Sequence, residues 1–135
     1  MNIDKIDVNI GLGIIGGLIG VLIGDLNGAL IALIVFMVID YITGVLAAIV
    51  RHAVNSEIGA VGIIKKACML LVVIIGNIID VFVLKTEGVC KNIVIFFYLS
   101  NEGISICENY AKLGLPFPEK LKKILVQLTN DEKEL

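Results

Sequence analysis

The chain has 135 residues, of which 58% are hydrophobic and 18% charged, with a mean hydropathy of +0.98. Ordinary soluble domains run about 45–50% apolar and about 25% charged, so this composition excludes a disordered tail, a collagen-like fibre and a disulfide-rich mini-protein, and it argues against a soluble enzyme. Eleven lysines and arginines against thirteen acids give a net charge of −2, which offers no basic excess for holding nucleic acid.

Between Val8 and Val50 the only strongly ionisable residues are Asp25 and Asp40. The stretch breaks once, at Asp25-Leu26-Asn27-Gly28, where turn-forming side chains and a glycine cluster. Two spans follow from that break, over 8–24 and 29–50. The second has 22 residues, enough at about 1.5 Å per residue to cross a bilayer of roughly 30 Å. The first is rich in glycine, with Gly13/Gly17, Gly16/Gly20 and Gly20/Gly24 each four apart. On a helix such pairs make a flat groove that lets another backbone approach, either within one protomer or between subunits. The residues ahead of it, Asp4, Lys5 and Asp7, do not form the positive flank of a secretory signal.

Arg51-His52 closes the second span, and Asn55 to Lys66 reads as a polar connector whose Lys65-Lys66 pair anchors the next span at anionic headgroups. Third and fourth spans are expected over 67–84 and 89–107. Gly114 and the Leu115-Pro116-Phe117-Pro118 segment stop the last one. Beyond Pro118, Leu121, Ile124, Leu125 and Leu128 recur at helical spacing among lysines, predicting an amphipathic helix on a membrane surface or a partner helix, followed by a charged tail within 115–135. The expected fold is therefore all-α: a polytopic helical membrane protein with four spans, or three if 8–24 does not cross, plus the amphipathic helix. With four spans, nine lysines and arginines fall on the side of the termini and two on the other, which places both termini in the cytoplasm.

Charge inside a span is costly, at least about 2.5–3.5 kcal/mol for a carboxylate at the centre, so such groups face protein or water. Asp40, Gly44 and Ala48 lie four apart; Asn77 and Asp80 share a face; Asn101, Glu102, Ser105 and Glu108 belong to one polar stripe with Tyr98 and Asn109. Asp40, Asp80 and Glu102 either bond to neighbours and orient a bundle, or meet water in an oligomeric pore together with Asn77, Asn101 and Ser105. Cys68, Cys90 and Cys107 are scattered without metal-ligand spacing, and His52 is solitary. Gly11 to Gly16 spells G-x-G-x-x-G, but no strand precedes it, so a dinucleotide site is rejected. No catalytic set, metal site or cofactor site is expected.

Four patterns taken together resemble a known family. They are Asp40-Tyr41-Ile42-Thr43-Gly44 with Ala47-Ala48; Ser56 with Gly59, Gly62 and Lys65-Lys66; Asn101-Glu102 with Ser105-Ile106 and Glu108-Asn109; and Gly114-Leu115-Pro116-Phe117-Pro118 followed by Leu121. In this order they resemble the phage holins, in the group that includes clostridial toxin-secretion holins, over about Asp40 to Leu125. The resemblance implies a non-enzymatic protein, often with three spans. Such a protein oligomerises with itself in the cytoplasmic membrane and opens lesions that release an endolysin or a large toxin. It assigns Asp40, Gly44, Ser56, Gly59, Gly62, Lys65, Lys66, Glu102, Ser105, Glu108, Gly114, Pro116 and Pro118 to structure and assembly. Two competing classes fit the intramembrane acids or the tail: a small ion channel or proton-coupled transporter, and a membrane subunit that anchors another protein through Pro118–Leu135.

Overall fold

The computed structural model describes residues 3–130. The described residues form five helices joined by short loops: α1 (Ile3–Ile23), α2 (Gly28–Val50), α3 (Ser56–Ile78), α4 (Val89–Lys112) and α5 (Glu119–Asn130). A π-helical turn, Ile79–Leu84, prolongs α3 without a break.

Each boundary has a local cause. Gly24, at φ +71°, leaves the helical region and ends α1. Asn27 caps α2 by accepting from the Leu30 N–H at 2.9 Å, and Asn55 caps α3 by accepting from the Glu57 N–H at 2.8 Å. Gly114, at φ +73°, follows the end of α4, and Pro116 and Pro118 keep the chain from continuing as helix before α5.

The core is a single seam. Leu30, Leu33 and Met37 of α2 present one face to Val73 of α3 and Ile95 of α4, and all five are buried. Helix α4 is the central element, packed against α2, α3 and α5. Asn27 meets Asn92 at 3.1 Å, and Thr43 meets Asn109 at 3.0 Å, so α2 and α4 run side by side and parallel. Helix α3 returns antiparallel to both. Helix α1 touches only α3 among the described residues.

The outer faces of α1 and α2 are apolar. Ile31, Val35, Val38, Ile42, Leu46 and Ile49 line the outer side of α2, all exposed, and α1 exposes Leu12, Ile14, Ile15 and Leu18. Such a surface needs lipid rather than water around it.

Among the described residues, two helices, rather than four, are long and apolar enough to cross a bilayer on their own: Gly28–Val50, and Ser56–Leu84 counted through its π-helical turn. The apolar part of α1, Asp7–Ile23, is shorter. Helix α4 carries Lys91, Glu102, Glu108 and Lys112, too much charge to face lipid alone. It lies beside α2 because α2 and α3 satisfy its polar side. The expected third span also starts eleven residues early. The segment read as a polar connector forms the first turns of α3, because Asn55 caps it and Glu57 sits favourably at the positive end of the helix dipole. Gly59 and Gly62 face Tyr41 there, with its hydroxyl 3.5 Å and its ring 3.8 Å from where a Cβ would stand, ordinary van der Waals distances.

A buried polar junction between three helices

Asp40 on α2, Lys66 on α3 and Glu102 on α4 meet in the interior. The Lys66 ammonium donates to Asp40 Oδ2 at 2.7 Å and to Glu102 Oε2. The three side chains are 15%, 16% and 4% exposed, in that order. Removing such charges from solvent costs several kcal/mol per ion, and only mutual pairing with further hydrogen bonds offsets it. Those further bonds are present. Asn109 donates to Asp40 Oδ1 at 3.0 Å, to the Asp40 carbonyl at 3.2 Å and to the Thr43 hydroxyl oxygen at 3.0 Å. Thr43 in turn donates to the Ile39 carbonyl at 2.9 Å. Gly44 lies beside this amide, which is 3.5 Å from the position of a Cβ, an ordinary contact distance. Two carboxylates thus share one ammonium, and each of the three helices supplies one member.

The junction forms the inner wall of a cleft of about 680 Å³ between α2, α3 and α4. Asn101 and Ser105, both half-buried, line the same cleft, as do Gly44, Ala48, Gly59 and Gly62. Of the acids expected inside spans, then, Asp40 and Glu102 come together with Asn101 and Ser105 close by. Lys66 was expected at a headgroup; it is drawn inward instead, because the early start of α3 turns it toward the two carboxylates. Lys65, beside it, is exposed, as is Glu108.

Asn77 and Asp80 stand elsewhere. Asp80 is fourteen residues beyond Lys66 in the same helical run, about 21 Å along its axis. Almost wholly buried at 1% exposure, it accepts from the Thr86 hydroxyl at 2.6 Å and from the Cys90 and Lys91 N–H groups at 2.9 and 2.8 Å. Gly88 has no side chain to cap α4, so Asp80 performs that task across the α3–α4 loop. Gly76 lets the two helices close up there, with a Cβ position only 3.1 Å from the Lys91 backbone. Asn77 donates to the Leu22 carbonyl at 2.9 Å and so satisfies the end of α1, while Lys91 donates to the Asp25 carbonyl at 2.7 Å. No single stripe joins Asp40, Asp80 and Glu102 in the protomer, because Asp80 is committed to a helix terminus.

The glycines divide in a similar way. At Gly13, Gly16, Gly17 and Gly20 a Cβ would meet nothing within 4 Å, so their groove is unfilled within the described protomer. Gly24 is not part of that groove: it sits past the helix end in a left-handed turn, against the Asn77 side chain. Gly103, which the sequence did not single out, also has a tight packing role. Its missing Cβ would fall 2.6 Å from Leu125, the buried residue of the α5 stripe. The expected amphipathic helix therefore has a partner within the chain, α4. Ser56 begins α3, and Gly114, Pro116 and Pro118 shape the turn into α5, positions consistent with structural roles. Among the described residues no cluster of three or more metal-ligating side chains occurs.

Long apolar helices around a buried ionic junction define a helical membrane protein. A sequence model of the Bacteriophage holin family matches residues 17–130, and the chain belongs to that family. The match reaches back beyond Asp40 into the second half of α1. Relatives include an uncharacterised 14.9 kDa protein of Clostridium perfringens encoded in the nagH 3′ region, 42% identical over 67% of this chain and 69% of its own length. A second is an uncharacterised protein of Listeria innocua, 41% identical over 70% of this chain and 69% of its own. A third, 35% identical over 70% of both chains, is named a probable holin of Bacillus phage phi105. No solved structure matches the chain.

Proposed function

We propose that the protein acts as a holin: it accumulates in the cytoplasmic membrane, associates with copies of itself and opens lesions through which an endolysin or a large toxin leaves the cell. Family membership over residues 17–130 carries this reading. The geometry supports it in two ways. The exterior suits lipid on nearly every side, while the interior holds Asp40, Lys66, Glu102, Asn101 and Ser105, a polar set able to face water if the helices part. The open glycine face of α1, at Gly13, Gly16, Gly17 and Gly20, has no occupant within the described protomer and suits close approach of another helix.

In this reading the closed protomer keeps its polar groups paired inward. Association through α1 and the small-residue faces brings many protomers together, and separation of α2, α3 and α4 then exposes the junction to water. Asn77 and Asp80 hold α1 and α4 to α3 throughout. The Arg51 end of the bundle, with Lys65, Lys112 and the lysines of α5, faces the cytoplasm, as do both termini. The test is inducible expression in a bacterium carrying a cytoplasmic reporter enzyme. Abrupt release of the folded enzyme is expected. Ion leakage with the enzyme retained would instead indicate a channel or transporter.

A further inference from the structure

We propose that the cleft beside the ionic junction is a binding site for one anionic glycerophospholipid, with the phosphate at its basic rim and the acyl chains along its apolar wall. The proposal concerns a site in the protomer and stands whether or not the protein opens lesions.

The charges of the cleft are unequal. Arg51, Lys65, Lys66 and Lys112 line it against only two carboxylates, Asp40 and Glu102. Both carboxylates are taken by Lys66. Arg51, Lys65 and Lys112 therefore share the cleft without an acid to pair with among the described residues. They converge from three helices: Arg51 follows α2, Lys65 lies on α3 and Lys112 ends α4. The first turn of α3 opens into the same space at Ile58 and Gly59, adding the positive end of a helix.

The rest of the wall is largely apolar: Val45, Ala48, Ile58 and Met69 line it with Gly44, Gly59 and Gly62, while Asn101, Ser105 and Asn109 add polar groups beside the junction. At about 680 Å³ it falls within the usual range of small-ligand sites, roughly 300–1,000 Å³. A basic rim above an apolar wall matches an amphiphile and not a free anion.

Depth agrees with this. The run Ser56–Leu84 has 29 residues, about 43 Å at 1.5 Å per residue, against a hydrocarbon core of roughly 30 Å. Its surplus length lets the Ser56 end, where the rim lies, reach headgroup level. That end carries the positive excess expected on the cytoplasmic side, where anionic lipid attracts basic residues.

The test uses the full chain in a neutral detergent, titrated with phosphatidylglycerol or phosphatidylcholine and examined by native mass spectrometry. One phosphatidylglycerol per chain is expected, bound in preference to phosphatidylcholine. Replacing the three exposed cations (R51Q/K65Q/K112Q) lowers that preference by about tenfold to a hundredfold, with helix content unchanged by circular dichroism. Blocking the apolar wall with A48W lowers the binding of both lipids. The variant K120Q/K122Q/K123Q, which alters cations outside the cleft, keeps the preference. Three results would overturn the site. The first is an unchanged preference in the triple cleft variant, meaning that these cations serve only the helix ends. The second is an equal loss in the α5 variant, meaning diffuse attraction. The third is displacement of phosphatidylglycerol by millimolar inorganic phosphate with the same charge dependence, meaning a free-anion site.

Discussion

Replacing Lys66 with methionine removes the one cation that two buried carboxylates share. The Lys66–Asp40 contact is 2.7 Å, and at an effective dielectric near 20 its attraction is about 6 kcal/mol, with a comparable contribution from Glu102. Much of that attraction only offsets the desolvation of the three ions, so the net effect is smaller. Breaking a buried pair by deleting one partner typically costs about 3–5 kcal/mol, because the remaining charge is stranded. Here two carboxylates are left facing each other, which places Lys66→Met at or above the upper end of that range. The folded-to-unfolded ratio then falls by about four orders of magnitude. The cost is one of imbalance and not of lost contacts, so neutralising the acids as well, as in K66M/D40N/E102Q, restores most of the stability. The assay is reversible unfolding of the full chain in mixed micelles, followed by far-ultraviolet circular dichroism while the denaturing detergent is raised. Stability of Lys66→Met within about 0.5 kcal/mol of the parent, the scatter of ordinary surface substitutions, would refute the reasoning. So would a triple variant weaker than the single one.

Four further outcomes are expected. Asp80→Ala leaves the Cys90 and Lys91 N–H groups without their acceptor; the cost is about 1–3 kcal/mol per buried group, and hydrogen exchange at the start of α4 speeds up. Gly103→Leu forces its side chain into the space of Leu125, so α5 undocks and trypsin cleaves more rapidly after Lys120, Lys122 and Lys123. At Gly13 and Gly17 an added Cβ meets nothing within 4 Å; Gly13→Leu and Gly17→Leu do not lower protomer stability, since leucine favours a helix over glycine, whereas the yield of cross-linked oligomer in membranes drops. In a cysteine-free background, Val54→Cys is labelled by an impermeant thiol reagent only after the cytoplasmic face is opened, and Glu87→Cys is labelled in intact spheroplasts.

What the sequence made legible depended on how local the cause was. Helix α2 was placed to within a residue because an apolar run was bounded by Asn27-Gly28 and Arg51. Helix α5 was evident from its leucine spacing and the prolines before it. The start of α3 was misplaced because Ser56, Glu57, Lys65, Lys66 and two glycines look polar and flexible, although Asn55 with an acid two residues on is a helix-start signal that was present in the chain. That shift also hid the role of Lys66. Its partners lie 26 and 36 residues away in sequence, and only the rotation and register of three packed helices bring them together. For Asp80 two readings stood open, bonded to neighbours or facing water; the structure shows the first, because the glycine at the head of α4 leaves N–H groups that this carboxylate accepts from across the loop. Helix α4 was legible as a helix but not as an inner one, since its charges are affordable only beside α2 and α3.

A protein acting as proposed must open membranes widely enough to pass a folded protein. The direct measurement is reconstitution of the purified chain into lipid vesicles that enclose an active enzyme, with substrate that cannot cross the bilayer supplied outside. The account predicts that above a threshold ratio of protein to lipid the enzyme appears in the external solution, in a steep and cooperative step. Vesicles that pass only ions or a small dye at every ratio, and keep the enzyme inside, would contradict it.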